Sequence, residues 1–165
     1  MRLWRLATVG AAAAAAAAAA AVSATAAASD RMEWSLHLDE GDGPVLMFAT
    51  RNSGDIPLEL TCREGGGEIE IATLAYDEDA GPGRLRLTFR SGPTSTAFAA
   101  RVAVTEFEDE GEYPYAEARL SSREPLLRAF ASTGRLSEEA DRTYLRDATT
   151  ASEREAIRRF FELCG

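Results

Sequence analysis

The chain has 165 residues, with 18 arginines, no lysine, 27 acids, one histidine and two cysteines, for a net charge of −9. The excess of acid repels nucleic-acid phosphates and anionic lipid surfaces. The missing lysine removes Schiff-base chemistry, and one histidine with two cysteines falls short of a zinc site.

The first 28 residues hold 22 apolar ones and inflate the 45% hydrophobic content of the whole. Arg2 and Arg5 precede an uncharged stretch from Ala7 to Val22, within which Ala11 to Ala21 is unbroken alanine. Small residues from Ser23 to Ser29 then lead to the first acid, Asp30. Basic start, apolar stretch and A-x-A-like site describe a secretory signal peptide over residues 1–28, cut after Ala28 or, alternatively, Ala26. A retained anchor is the poorer reading, because the run is shorter than the ~20 residues a spanning helix needs and alanine gains little from hydrocarbon.

Residues 29–165 then read as a single periplasmic or secreted bacterial domain, with no membrane span. Its 16 arginines against 27 acids leave −11. Leu, Ile, Val and Phe make up about a fifth of it, close to where charged chains fail to fold. The core is expected to be thin.

Period-two alternation opens this domain. Trp34, Leu36 and Leu38 alternate with Glu33, Ser35, His37 and Asp39, and Val45 to Thr50 is apolar on both faces. Leu58, Leu60 and Cys62 alternate with Glu59, Thr61 and Arg63, followed by a strand from Glu68 to Ala75. Leu85, Leu87 and Phe89 sit between Arg84, Arg86, Thr88 and Arg90. Phe98, Ala100, Val102 and Val104 follow, with Arg101 and Thr105 facing away. Tyr113 to Leu120 is a seventh strand, kinked at Pro114. Turn-formers such as Gly41-Asp42-Gly43-Pro44, Gly65-Gly66-Gly67 and Ser91-Gly92-Pro93 separate these runs. The pattern predicts a mainly β (α+β) fold: an antiparallel β-sandwich or open barrel of about seven strands.

The period then changes. Ser121-Ser122-Arg123-Glu124 has the form of a capping box, Pro125 suits an early helical position, and Gly134 suits a stop, so a short helix is predicted near 123–133. Residues 135–147 are ambiguous, with Tyr144 and Leu145 assigned to a strand. Thr150-Ala151-Ser152-Glu153 offers a second capping box. Beyond it Ile157, Phe160, Phe161 and Cys164 recur at helical spacing, predicting an amphipathic C-terminal helix packed on the sheet.

Cys62 lies on the apolar face of its strand and Cys164 on the apolar stripe of that helix. In an oxidising compartment a bridge between them would close a loop of about 100 residues and contribute roughly 4 to 5 kcal/mol. Two free thiols or an intermolecular bond are the alternatives.

The motifs of α/β-hydrolases, zinc proteases, P-loops and dinucleotide folds are missing. No catalytic, cofactor-binding or metal residue is assigned, no cofactor is expected, and His37 reads as a solvated strand residue. Three acid-rich loops (residues 39–42, 77–79 and 108–112) lack the spacing of a calcium loop. If the strands meander, the second and third fall at one end of the sheet and the first at the other. Arg84, Arg86 and Arg90 share a strand face, where Glu59, Glu68 and Glu70 of other strands could pair with them, or an acidic partner could bind.

The leading reading is a non-catalytic, monomeric binding or envelope-accessory module, with an envelope protein as its partner and an exposed apolar patch as its contact. The alternatives are a small carboxylate-dependent envelope hydrolase, betrayed by two converging carboxylates with one pKa raised, and a Ca²⁺-binding module.

Taken together, the leader, Trp34, Pro57-Leu58-Glu59-Leu60-Thr61-Cys62, Leu87-Thr88-Phe89-Arg90-Ser91-Gly92 and Phe160-Phe161-Glu162-Leu163-Cys164 resemble small periplasmic, signal-peptide-bearing proteins of alphaproteobacteria. The resemblance implies a β-rich periplasmic domain with a strand-to-helix disulfide, and brings no activity with it.

Overall fold

The computed structural model describes residues 31–39, 43–51, 56–74, 83–107, 111–140 and 142–165. The leader, Glu40–Asp42 and the acidic loops at 77–79 and 108–110 therefore lie outside the described residues.

Nine strands form one antiparallel sheet: β1 (Met32–Asp39), β2 (Gly43–Thr50), β3 (Leu58–Cys62), β4 (Glu68–Leu74), β5 (Gly83–Ser91), β6 (Thr94–Phe107), β7 (Gly111–Ser121), β8 (Ser137–Glu139) and β9 (Thr143–Leu145). Helices α1 (Pro125–Thr133) and α2 (Ala151–Cys164) complete the fold. The order across the sheet is β1-β2-β3-β4-β7-β6-β5-β8-β9, and the sheet curls into a half-barrel. This is the open-barrel form of the expected architecture. Beyond the seven strands expected up to Leu120 and the one expected at Tyr144 and Leu145 (β9), it gains β8. No helix among the described residues is long and apolar enough to cross a membrane.

The predicted meander holds only in part. From β4 the chain passes two strand positions to reach β5, then returns through β6 to β7, which pairs back onto β4 with Ile71 opposite Ala118. Strand ends still sort as the alternation requires: Leu74, Gly83, Phe107 and Gly111 share one end, and Asp39 and Gly43 the other. Pro114 lies opposite Val104 of β6, just past the last described β4 pair (Leu74 with Tyr115), where its missing N–H costs no described bond.

Alternation puts one set of side chains on an inner face covered by the helices. Leu46, Leu58, Leu60, Ile69, Ile71, Leu87, Phe89 and Ala116 are buried there against Leu126, Leu127 and Phe130 of α1 and Ile157 and Phe160 of α2. Trp34 stands 5.2 Å from Phe48 and 5.0 Å from Phe130 between ring centroids, so aromatics bridge sheet and helix.

The strand β9 is the one expected at Tyr144 and Leu145, whereas β8 is obscured because its inward position is charged. Glu138 and Arg146 are buried and joined in an ion pair. The Thr73 hydroxyl donates to Glu138 Oε2 at 3.0 Å, and the Trp34 Nε1–H donates to the Arg146 carbonyl at 2.7 Å. These bonds tie β8 and the residue after β9 to β4 and β1, across the mouth of the half-barrel. Burial pushes the Glu138 carboxyl up, with Arg146 and Thr73 opposing.

The capping box expected at Ser121 does not form. Glu124 is itself the N-cap of α1 and makes no side-chain cap; its carboxylate instead accepts from the Thr96 hydroxyl at 3.1 Å, holding α1 to β6. Gly134 ends α1 in the left-handed region (φ 66°), its N–H donating to the Phe130 carbonyl at 2.8 Å.

The second box does form. Thr150 Oγ1 accepts from the Glu153 N–H at 3.2 Å, and the Glu153 carboxylate accepts from the Thr149 N–H at 3.1 Å and from Arg31 at 2.8 Å. Hydrogen bonds and Arg31 outweigh burial and hold the Glu153 carboxyl below its usual range. At the far end of α2, Gly65 and Gly67 N–H groups donate to the Leu163 and Cys164 carbonyls at 2.8 and 3.1 Å, satisfying acceptors a helix end leaves open. A disulfide joins Cys62 to Cys164 at the same place, with Cα atoms 5.8 Å apart. Neither cysteine is free.

Candidate functional site

The outer face of the sheet carries the other half of each alternation and, among the described residues, no helix. Reading across β3, β4, β7, β6 and β5, one row runs Glu59, Ala72, Glu117, Arg101, Arg84. The row beside it contains Thr61, Glu70 and Arg119, and reaches Arg86 next to Ala99. Arginine therefore concentrates toward β5 and β6, and carboxylate toward β3 and β4.

The pairs expected between the β5 arginines and Glu59, Glu68 or Glu70 are not made, because β6 and β7 stand between β5 and β4. Glu70 instead binds Arg119, its direct partner on β7, at 2.8 Å. Arg90 binds Glu139 of β8 at 3.0 Å. Arg84, Arg86 and Arg101 make no ion pair among the described residues, although Arg84 and Arg101 are direct cross-strand partners. Like charges placed opposite each other on a sheet destabilise it. All three side chains are exposed.

A groove of about 1120 Å³ runs past Arg84 and Arg101, lined also by Ala99, Ala103, Glu117, Arg119 and Glu70; Arg86 stands at its edge, as the cross-strand partner of Ala99. Ala99 and Ala103 of β6 keep its floor low on either side of Arg101, while β5 and β7 carry longer side chains at its sides. A second hollow of about 450 Å³ adjoins it at Glu70 and Arg119 and extends over Thr61, Arg63 and Glu68.

Carboxylates also meet on this face. Glu59 is half-buried, and burial together with the nearby Glu70 charge pushes its carboxyl up, against a smaller opposite pull from His37. Glu59 lines neither groove. His37 is exposed, as expected, with Nε2 2.9 Å from the Ser35 hydroxyl. Among the described residues no cluster of His, Cys, Asp or Glu has the makings of a metal site.

An exposed apolar patch was expected of an accessory module, and the structure gives a different surface. The exposed large hydrophobics among the described residues are Leu38 on β1 and Leu145 on β9, single residues on the two outermost strands of the sheet order. Arginine, the feature that sequence reading weighed only as an alternative, marks the face instead. Arg101 was missed as a member, since it belongs to a different strand and only the register brings it beside Arg84.

No protein-family model, curated protein or solved structure matches this chain.

Proposed function

We propose that the protein is a non-catalytic, exported binding module of the bacterial envelope whose outer sheet face holds an acidic partner. The observation that carries this reading is the set of arginines without ion pairs, Arg84, Arg86 and Arg101, on an open face of a chain whose net charge is −9. A protein with so much surplus acid has carboxylates to spare for its own arginines. Leaving three together beside a groove costs stability unless an external anion relieves it. Export is supported by the leader pattern and by the disulfide, which persists in oxidising compartments.

The test is retention of residues 29–165 on immobilised poly-glutamate as salt is raised. The Arg84→Ala/Arg86→Ala/Arg101→Ala variant should elute at markedly lower salt, with a melting temperature no lower than the parent's showing that it is folded. Equal elution of variant and parent removes the reading.

A carboxylate hydrolase is the second reading, favoured by the raised carboxyl of Glu59 beside Glu70. Against it, the raised group lines no groove that a substrate could enter.

A further inference from the structure

We infer that the occupant of the outer groove is an extended polypeptide segment with a carboxylate at every second residue, lying along β6 with those carboxylates toward β5. The inference rests on the proposal that this face binds an acidic partner, and three observations narrow the partner's chemistry.

The first is width. The sides of the groove are β5 and β7, each adjacent to β6, so they stand roughly 9 to 10 Å apart at backbone level. Arg101 projects between them from a floor of alanines, Ala99 and Ala103. The spacing matches that at which a flat, extended chain can lie over one strand between its two neighbours, with alternate side chains turned to either side, whereas a helix presents about 10 to 12 Å of side chain in every direction.

The second is spacing. Arg84 and Arg86 are two residues apart on one strand face, which places them roughly 6.6 to 6.8 Å apart along β5. An extended peptide repeats its like-facing side chains at the same interval. Carboxylates at alternate positions therefore meet Arg84 in the groove and Arg86 at its edge beside Ala99, and the planar forks of both suit carboxylate oxygens in pairs.

The third is asymmetry. The opposite side, β7, carries Glu117 and Arg119, the latter already bound to Glu70 of β4, so its unpaired charge among the described residues is the Glu117 carboxylate. A polymer charged all round, such as polyphosphate, would set negative charge against those carboxylates. A strand with acid on one edge and neutral residues on the other avoids the conflict.

The experiment measures fluorescence anisotropy of labelled ten-residue peptides with residues 29–165: alternating Glu-Thr, the same composition in two blocks, and alternating Gln-Thr. Linear polyphosphate serves as competitor. The alternating acidic peptide is expected to bind about tenfold more tightly than the blocked one, the value of one charge-assisted hydrogen bond, and Gln-Thr should not bind. Arg84→Ala and Arg86→Ala should each weaken it severalfold, while Arg90→Ala, which removes a side chain engaged with Glu139, should leave it unchanged. Equal binding of alternating and blocked peptides, or polyphosphate displacing the peptide at matched charge, overturns the inference while the acidic-partner reading stands. Binding that ignores Arg84 and Arg86, or no binding to any anion, overturns both.

Discussion

Inside the half-barrel, a carboxylate occupies a place where alternation asks for an aliphatic side chain. Glu138 is fully buried, paired with Arg146 and touched by Thr73. Removing Arg146 takes the counter-charge from buried Glu138, so Arg146→Met should cost about 3 to 5 kcal/mol in urea denaturation, while Glu138→Leu with Arg146→Met together should cost less than either single change. Nothing local announces this pair: Ser137-Glu138-Glu139 offers two identical residues, of which the first is buried and the second bonds Arg90 in solvent. Their different fates follow from the register in which the segment pairs with β5, Glu138 opposite Phe89 and Glu139 opposite Thr88, and that is a long-range matter. Glu59 shows the same dependence on register. Its carboxyl is raised in the folded state, so folding favours the protonated form, and the penalty for its charge is present above the folded pKa and lost as pH falls toward 4.5. Glu59→Gln should therefore raise the melting temperature at pH 7, with a gain that shrinks toward pH 4.

The C-terminal helix is held at both of its ends by contacts of different kinds. At its start, Thr150→Ala removes the acceptor for the Glu153 N–H and should cost about 1 kcal/mol. Glu153 titrates with the sign opposite to Glu59: its folded pKa is lowered, so its contribution is present above the ordinary value of 4.5 and disappears as pH falls below it. At its end, Cys62→Ser with Cys164→Ser should cost roughly 4 to 5 kcal/mol on the chain-entropy argument for a loop of about 100 residues, and hydrogen exchange should show the last turn of α2 losing protection first. Most of this was legible, because the amphipathic stripe, Thr150 with Glu153, and the inward placement of both cysteines are local patterns. The start of α1 was not. Ser121-Ser122-Arg123-Glu124 satisfies the box rule, yet Ser121 ends β7 with its hydroxyl accepting from the Arg123 N–H, and Glu124 is drawn to Thr96, so neither side chain is left to cap the helix. The arginine face was legible strand by strand, but the neighbours of each arginine were not, since they depend on β7 returning to β4.

For the molecule as a whole, acid dominates and the arginine face is a local exception. Salt should act on the two in opposite directions. Screening relieves the self-repulsion of a chain at net −9, so the melting temperature should rise modestly between low and physiological ionic strength. Over the same range retention on poly-glutamate should fall, because exposed charges attract only within a Debye length of about 8 to 10 Å. A differential scanning experiment alongside the elution series separates these effects; parallel changes would mean that the acidic surface and the binding face are not electrically distinct.

The return of β7 to β4 also governs how this protein can come together. Until residues 111–121 arrive, β4 has a bare flank of N–H and C=O groups beside a strand that reads Glu-Ile-Glu-Ile-Ala-Thr-Leu. Such a flank is a template for a stray copy of the same segment, and Glu68 and Glu70 give two charges that discourage like strands from stacking there. Those glutamates therefore act as guards during assembly, and neutralising both should favour clumping during refolding even if the finished protein tolerates the change.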